Sequence, residues 1–286
     1  MKTNKKLDFT IGSEISLVHK DYINQDYGRY ERRHVRAKRL TQAWATILNE
    51  HLGRDDAAIV DVHCLEVRSP VYRSIDDLVK FYRKVVAFGR RHGFRPHHPR
   101  TVCGGGHIHV GIWEAERVAS VFKYFWEHPE IAWVFLHPDD TESANNFATS
   151  ENDVKVLSAQ NIAGIEPYTI ASHTMNVFAV AGDVNKEFVL SRNNYGKTLE
   201  YRCVEAPLNE DEFVAQLKFF VRLTEKIAFP TRHAYWPQIT PLDIDQQTAI
   251  DSFRRICDDL SLSYLDYEPF VTRNLIPRWQ DGRKRT

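Results

Sequence analysis

Cysteine is scarce in this chain of 286 residues, and its placement excludes two common chemistries. Cys64, Cys103, Cys203 and Cys257 are far apart and form no Cys-x-x-Cys pair, which argues against a zinc knuckle and against a disulfide framework. Long apolar runs are missing too: none approaches the roughly 20 residues needed to cross a bilayer. The basic start is interrupted by Asp8 and Glu14, so no signal-peptide core forms, and the expectation is a cytoplasmic protein without a membrane partner. An excess of one charge is also absent. Lys plus Arg equals Asp plus Glu at 38 each, so no global field draws the chain to nucleic acid. No internal repeat or low-complexity linker divides it, and a hydrophobic content of 43% excludes disorder over most of its length.

What is present is a set of alternating segments with ionisable groups on one side. In Gly104-Gly105-Gly106-His107-Ile108-His109-Val110-Gly111, strand periodicity sends His107 and His109 to one face and Ile108 and Val110 to the other. Around residue 14, Phe9, Ile11, Ile15 and Leu17 alternate with Asp8, Thr10, Gly12, Glu14 and Ser16. Near residue 200, Leu199, Tyr201 and Cys203 alternate with Thr198, Glu200 and Arg202, and Glu66 and Arg68 likewise share a side. Four such strands predict an α+β fold: one curved antiparallel sheet, with helices on its apolar face and a basin lined by carboxylates and imidazoles on the other. Oxygen and imidazole donors suit Mg²⁺ or Mn²⁺.

Helical spacing is equally readable. Leu40, Trp44, Ile47, Leu48 and Leu52 predict a helix ended by Gly53, after a polar, basic loop over residues 19 to 35. A single strand is expected near 59 to 68, stopped by Ser69-Pro70. Ser74, with Asp77 three residues on, predicts the N-cap of a helix carrying Ile75, Leu78, Val79, Tyr82, Val85 and Val86. Further helices are expected around Val118 to Phe125, from Asn209 and Glu212 through Ile227, and across Ile250 to Leu260. Residues 130 to 165 read as long loops, strands are expected near 174 to 181, 187 to 191 and 197 to 204, and the tail reads as irregular and basic. The whole is expected to form a single domain, 1–286, with a helical C-terminal extension from about 208.

Taken in order, Gly12-Ser13-Glu14, Glu66 with Ser69-Pro70, Gly104 through Gly111, and Thr198-Leu199-Glu200-Tyr201-Arg202 resemble the motifs of the amidoligase family. That family lies within the carboxylate–amine ligase superfamily, which includes glutamine synthetase and glutamate–cysteine ligase. The resemblance spans roughly residues 9 to 207. It implies a glutamine synthetase-like catalytic fold and an ATP-dependent ligase that forms an amide between a carboxylate and an amine, through an acyl phosphate. By motif position it implies Glu14, His107 and Glu200 on one Mg²⁺ or Mn²⁺ ion and Glu66 on another. It further implies His109, Arg68 and Arg202 against the nucleotide, with Glu200, Arg202 and Arg192 as catalytic residues.

One position departs from the pattern. Such families commonly carry Glu-x-Glu in the first strand, and here the second position is Ser16, which contributes no charge; the expectation is that the second ion is weakly held, borrows Asp61 or Glu205, or arrives only with ATP. Two other classes of function fit the same residues. One is a metal-dependent hydrolase using His107, His109 and a carboxylate to activate water. The other is a catalytically inactive binding or structural protein that keeps the fold. The basic clusters at Arg29 to Arg39 and Arg90 to Arg100 read as solvated faces before nucleic-acid contacts, although the second leads into the glycine strand and fits an anionic substrate or ATP. The substrates implied are small-molecule or peptide carboxylates and amines.

Overall fold

Alternation along residues 11 to 19 builds the central strand, and everything near the candidate site is positioned from it. The computed structural model describes residues 6–20, 31–61, 64–96, 106–112, 117, 120, 121, 124, 125, 128, 130–135, 190–193, 198–228 and 245–277, with backbone alone at 31–40, 61 and 190–193. The chain divides into two compact units. One comprises Met1–His109 and Glu205–Leu217, the other Val110–Val204 and Lys218–Thr286. Both mix helix with antiparallel strands that do not close into a barrel, so the architecture is α+β.

In the first unit, β1 (Ile11–His19) runs antiparallel to β3 (Cys64–Arg68), which pairs antiparallel with β2 (Ala58–Asp61). On the other edge of β1 lie β4 (Phe94–Pro96) and β5 (Ile108–Val110). The register sorts the side chains. Ala58, Val67 and Ile15 form one cross-strand row and Val60, Leu65 and Leu17 the next. Directly opposed residues share a face, so Arg68 with Glu14, and Ile59 with Glu66 and Ser16, occupy the other side. Two helices cover the apolar rows: α1 (Glu31–Leu52) packs on β2 and β3, and α2 (Ile75–Arg91) on β1 and β4.

The segment expected as one strand near 59 to 68 is two strands, β2 and β3, and so is corrected here. The sequence hid this because both halves are apolar enough to belong to one buried strand. Helix α1 also begins at Glu31, inside the stretch expected to be loop, and Gly53, with φ of 67°, ends it where the pattern predicted. Ser74 caps α2 as expected, its hydroxyl accepting from the Asp77 N–H, a contact of the kind that contributes about 1 kcal/mol. Asn49 supplies a cap that went unread. Its side chain accepts from Ala58 N at 2.6 Å and donates to Ala58 O at 3.0 Å, tying α1 to β2 as a strand neighbour would.

The second unit is built on aromatic packing. Its helix α3 (Glu130–Phe135) falls in the region expected to be loop, a correction with a simple cause: five apolar residues in six positions carry no helical alternation to read. A hairpin joins β6 (Leu190–Asn193) to β7 (Thr198–Tyr201). Helix α4 (Glu210–Ile227) begins in the first unit and ends in the second. Asn209 Oδ1 accepts from Glu212 N at 2.9 Å, as the capping pattern predicted. Helix α5 (Gln246–Asp259) is followed by short helical turns at Tyr264–Asp266, Glu268–Phe270 and Val271–Leu275, where an irregular tail was expected. Phe135, Phe219, Phe253, Tyr267 and Phe270 interlock there, with Phe219 stacked on Phe253 at 5.5 Å. Of the helix expected around Val118 to Phe125, the described positions Arg117, Ser120, Val121, Tyr124 and Phe125 are helical. The strand expected near 174 to 181 lies outside the described residues, and among those described no helix is long and apolar enough to cross a membrane.

Candidate metal centre

The backbone of Glu14 donates its N–H to the carbonyl of His107 at 2.9 Å, so β1 and β5 are hydrogen-bonded neighbours. Alternation then points the Glu14 side chain to the face that carries His107 and His109. His107 Nδ1 lies 2.7 Å from Glu14 Oε2, and His109 Nε2 lies 3.3 Å from Glu14 Oε1. An ionised carboxylate only accepts, so both ring nitrogens donate. Burial by itself pushes the Glu14 carboxyl up, but hydrogen bonds from His107 and His109, and their charge, outweigh it. Glu14 is consequently held well below the usual carboxylate range and stays anionic. Its side chain is 15% exposed and those of His107 and His109 are 11% and 17% exposed, which leaves the group an opening to solvent.

Two positions along the same face, the buried Glu66 stands opposite Ser16, and its Oε1 accepts from Arg68 Nε at 3.0 Å. Arg68 is the cross-strand partner of Glu14, and its carbonyl is held by Arg54 Nη1 at 3.1 Å. Of the basic stretch 90 to 100, Arg95 stands opposite Val18 in β4, so its register places it on the Ser16 and Glu14 face. The Asp61 side chain lies outside the description, as do Gly104 and Gly105.

In the second unit, Glu200 in β7 is buried, and its Oε1 accepts from Arg202 Nη1 at 2.6 Å. The guanidinium is therefore oriented by a neighbour two residues away. Its Nε is buried and has no hydrogen-bond partner among the described residues. Such a donor calls for an acceptor beyond those that the described residues provide. Arg192 lies in β6 opposite Leu199, whereas Ser191 is the residue opposite Glu200; the Arg192 side chain is outside the description.

The Glu14 cluster has donor spacing that suits a divalent ion. Cis ligands on an octahedral ion with bonds of about 2.1 Å are about 3.0 Å apart. The two carboxylate–imidazole separations, 2.7 and 3.3 Å, bracket that value. A cation would then take the place of the shared protons. No protein-family model matches the chain, and a search of curated proteins found no match.

Several residues that shape the centre escaped the sequence reading. Ser69 Oγ accepts from Ser13 N at 2.9 Å, and Ser69 N donates to Ser13 O at 3.0 Å, clamping β1 beside Glu14. Ser69 was read as part of a strand stop and of a motif, not as a side chain holding β1. Gly106 packs so closely on Glu205 to Pro207 that a Cβ would sit 3.1 Å from the Glu205 carbonyl oxygen. The glycine run was visible as a signal, but what it abuts was not.

Proposed function

We propose that this chain is an ATP-dependent carboxylate–amine ligase on a glutamine synthetase-like sheet, working with Mg²⁺ or Mn²⁺ through an acyl phosphate. The observation that carries the reading is the anionic Glu14 carboxylate bonded to both imidazoles of the His-x-His strand. In this proposal Glu14, His107 and Glu200 hold one cation, and Glu66 a weaker second one, because Ser16 adds no charge and Arg68 already occupies a Glu66 oxygen. When bound, the cations screen the nucleotide oxygens so that one anion can attack another.

The remaining work belongs to the protein's own groups. Arg202, aimed by Glu200, offers its Nε, which has no partner among the described residues, to an oxygen of the transferred phosphoryl group. His109 and Arg68 face the nucleotide from the Glu14 side, and Arg192 is the further cation of the proposal. The substrates are a small-molecule or peptide carboxylate and an amine, and the phosphoryl group leaves as free phosphate when the amine attacks.

The test is release of ADP and phosphate that requires a carboxylate and an amine together. Glu200→Gln should lower turnover at least about 100-fold while the circular dichroism spectrum is unchanged; full activity in that variant removes Glu200 from the mechanism. A second reading draws on the same cluster. Glu14, His107 and His109 alone offer two imidazoles and a carboxylate, the donor set of a metal-dependent hydrolase. Turnover of an ester or amide without ATP selects that reading.

A further inference from the structure

Gln216 is fully buried in α4, in the first unit, and plays no part in the chemistry above. Its Nε2 donates to the carbonyl of Glu205 at 3.0 Å, while its Oε1 is buried without a partner among the described residues. The same carbonyl is the backbone atom against which Gly106 lies: a Cβ built there would be 3.1 Å from Glu205 O, 3.1 Å from Pro207 Cδ and 3.2 Å from Ala206 Cα. Gly106 immediately precedes His107. The segment that Gln216 holds is therefore the wall on which the His-x-His strand rests.

The other end of this support leads back to Glu14. Helix α4 is fastened to α2 by Tyr82 stacked on Phe213, ring centroids 4.1 Å apart, and by Arg83 Nε donating to Glu210 Oε2 at 2.8 Å. Helix α2 packs on β1, which carries Glu14. Contacts thus run in a closed circuit from Glu14 through α2, α4, Gln216, the Glu205 carbonyl and Gly106 to His107, whose ring returns to Glu14 at 2.7 Å. Gln216 joins α4 to that wall through a side-chain donor, while its Oε1 has no partner among the described residues. Removing the amide takes this donor from the Glu205 carbonyl, so Gln216 acts on the wall through its nitrogen.

We propose that Gln216 is a positioning residue for the metal centre: by holding the Glu205 carbonyl against Gly106 it sets where His107 and His109 stand relative to Glu14. Its metal consequence rests on the reading that Glu14 and His107 bind a divalent cation, while its geometric consequence does not. Gln216→Met, near in volume but without a donor, tests both on the full chain. In the metal-free protein, the hydrogen-bonded imidazole proton of His107 should lose its downfield NMR resonance. In a Mn²⁺ titration, affinity should fall about tenfold, the scale seen when groups supporting metal ligands are removed.

Leu223→Ala, a core truncation farther along the same helix, controls for general loosening and should leave both readouts as in the parent. An unchanged imidazole spectrum in Gln216→Met, or the same changes in Leu223→Ala, overturns the proposal. If the parent chain binds no Mn²⁺, the metal reading fails, and the imidazole spectrum still judges Gln216. Should Gln216→Met not fold, Gln216→Asn, with the donor one methylene short, is read in the same way; failure of both to fold overturns the positioning role in favour of a folding one.

Discussion

Glu14 in the first unit and Glu130 in the second are both carboxylates held by an imidazole nitrogen, in very different settings. Glu14 takes His107 on one oxygen and His109 on the other, and 15% of its side chain reaches solvent. Glu130 has His128 Nδ1 at 3.1 Å and Ser252 Oγ at 2.6 Å, both on Oε1, and its side chain is 2% exposed. The first stands on a sheet face among other polar side chains, whereas the second ties α5 to the start of α3 inside an aromatic core. The same pair of residue types thus makes a candidate ligand site where an opening remains and a structural tie where packing closes it.

The comparison breaks most sharply under substitution. Glu14→Gln should weaken Mn²⁺ binding by at least about 100-fold in calorimetry, since a neutral amide replaces the charge, and its only loss in urea unfolding should be the acid-sensitive contribution of the carboxylate. Glu130→Ala should spare the metal and not the fold: it strands the Ser252 hydroxyl and the His128 ring nitrogen, costing about 2–3 kcal/mol in urea unfolding while leaving metal affinity unaltered. A metal-binding defect in Glu130→Ala would erase the distinction between the two carboxylates.

Acid sharpens the contrast. Because the folded Glu14 carboxyl sits below its ordinary value of 4.5, it binds fewer protons folded than unfolded. Its stabilising contribution is therefore complete above about pH 4.5 and lost as pH falls below it. Metal-free parent protein should show this acid loss in its unfolding midpoint, and Glu14→Gln should flatten that part of the profile. Ser252→Ala is the smallest change, removing one of the two Glu130 contacts for about 1 kcal/mol in urea unfolding, with the acid profile of the parent retained.

Much of the first unit was legible because its side chains alternate. Glu14, Ser16, Glu66, Arg68, His107 and His109 were assigned to one side from period two alone, and the register places them there. Caps were legible where they follow a short local rule, as at Ser74 and Asn209. Helix α3 was missed because five of its six residues are apolar, and the β2–β3 division was missed because both strands are apolar enough to read as one. Ser69, Asn49 and Gln216 were missed for another reason. Each holds a backbone group of another segment, and no local pattern marks a side chain for that task.

Alternation and capping are properties of neighbours in the chain, so the amino-acid order by itself determined which residues form strands and helices around the candidate centre and which side chains share a face. It could not determine that Glu14 takes one imidazole on each oxygen, that Arg68 occupies Glu66, or that Gly106 rests on a carbonyl held by Gln216. The Glu14–imidazole and Gly106–Glu205 contacts depend on distances between segments about a hundred residues apart, and the others on side-chain geometry set by packing. Register, helix packing and backbone contact set such distances, and they exist only once the chain has folded.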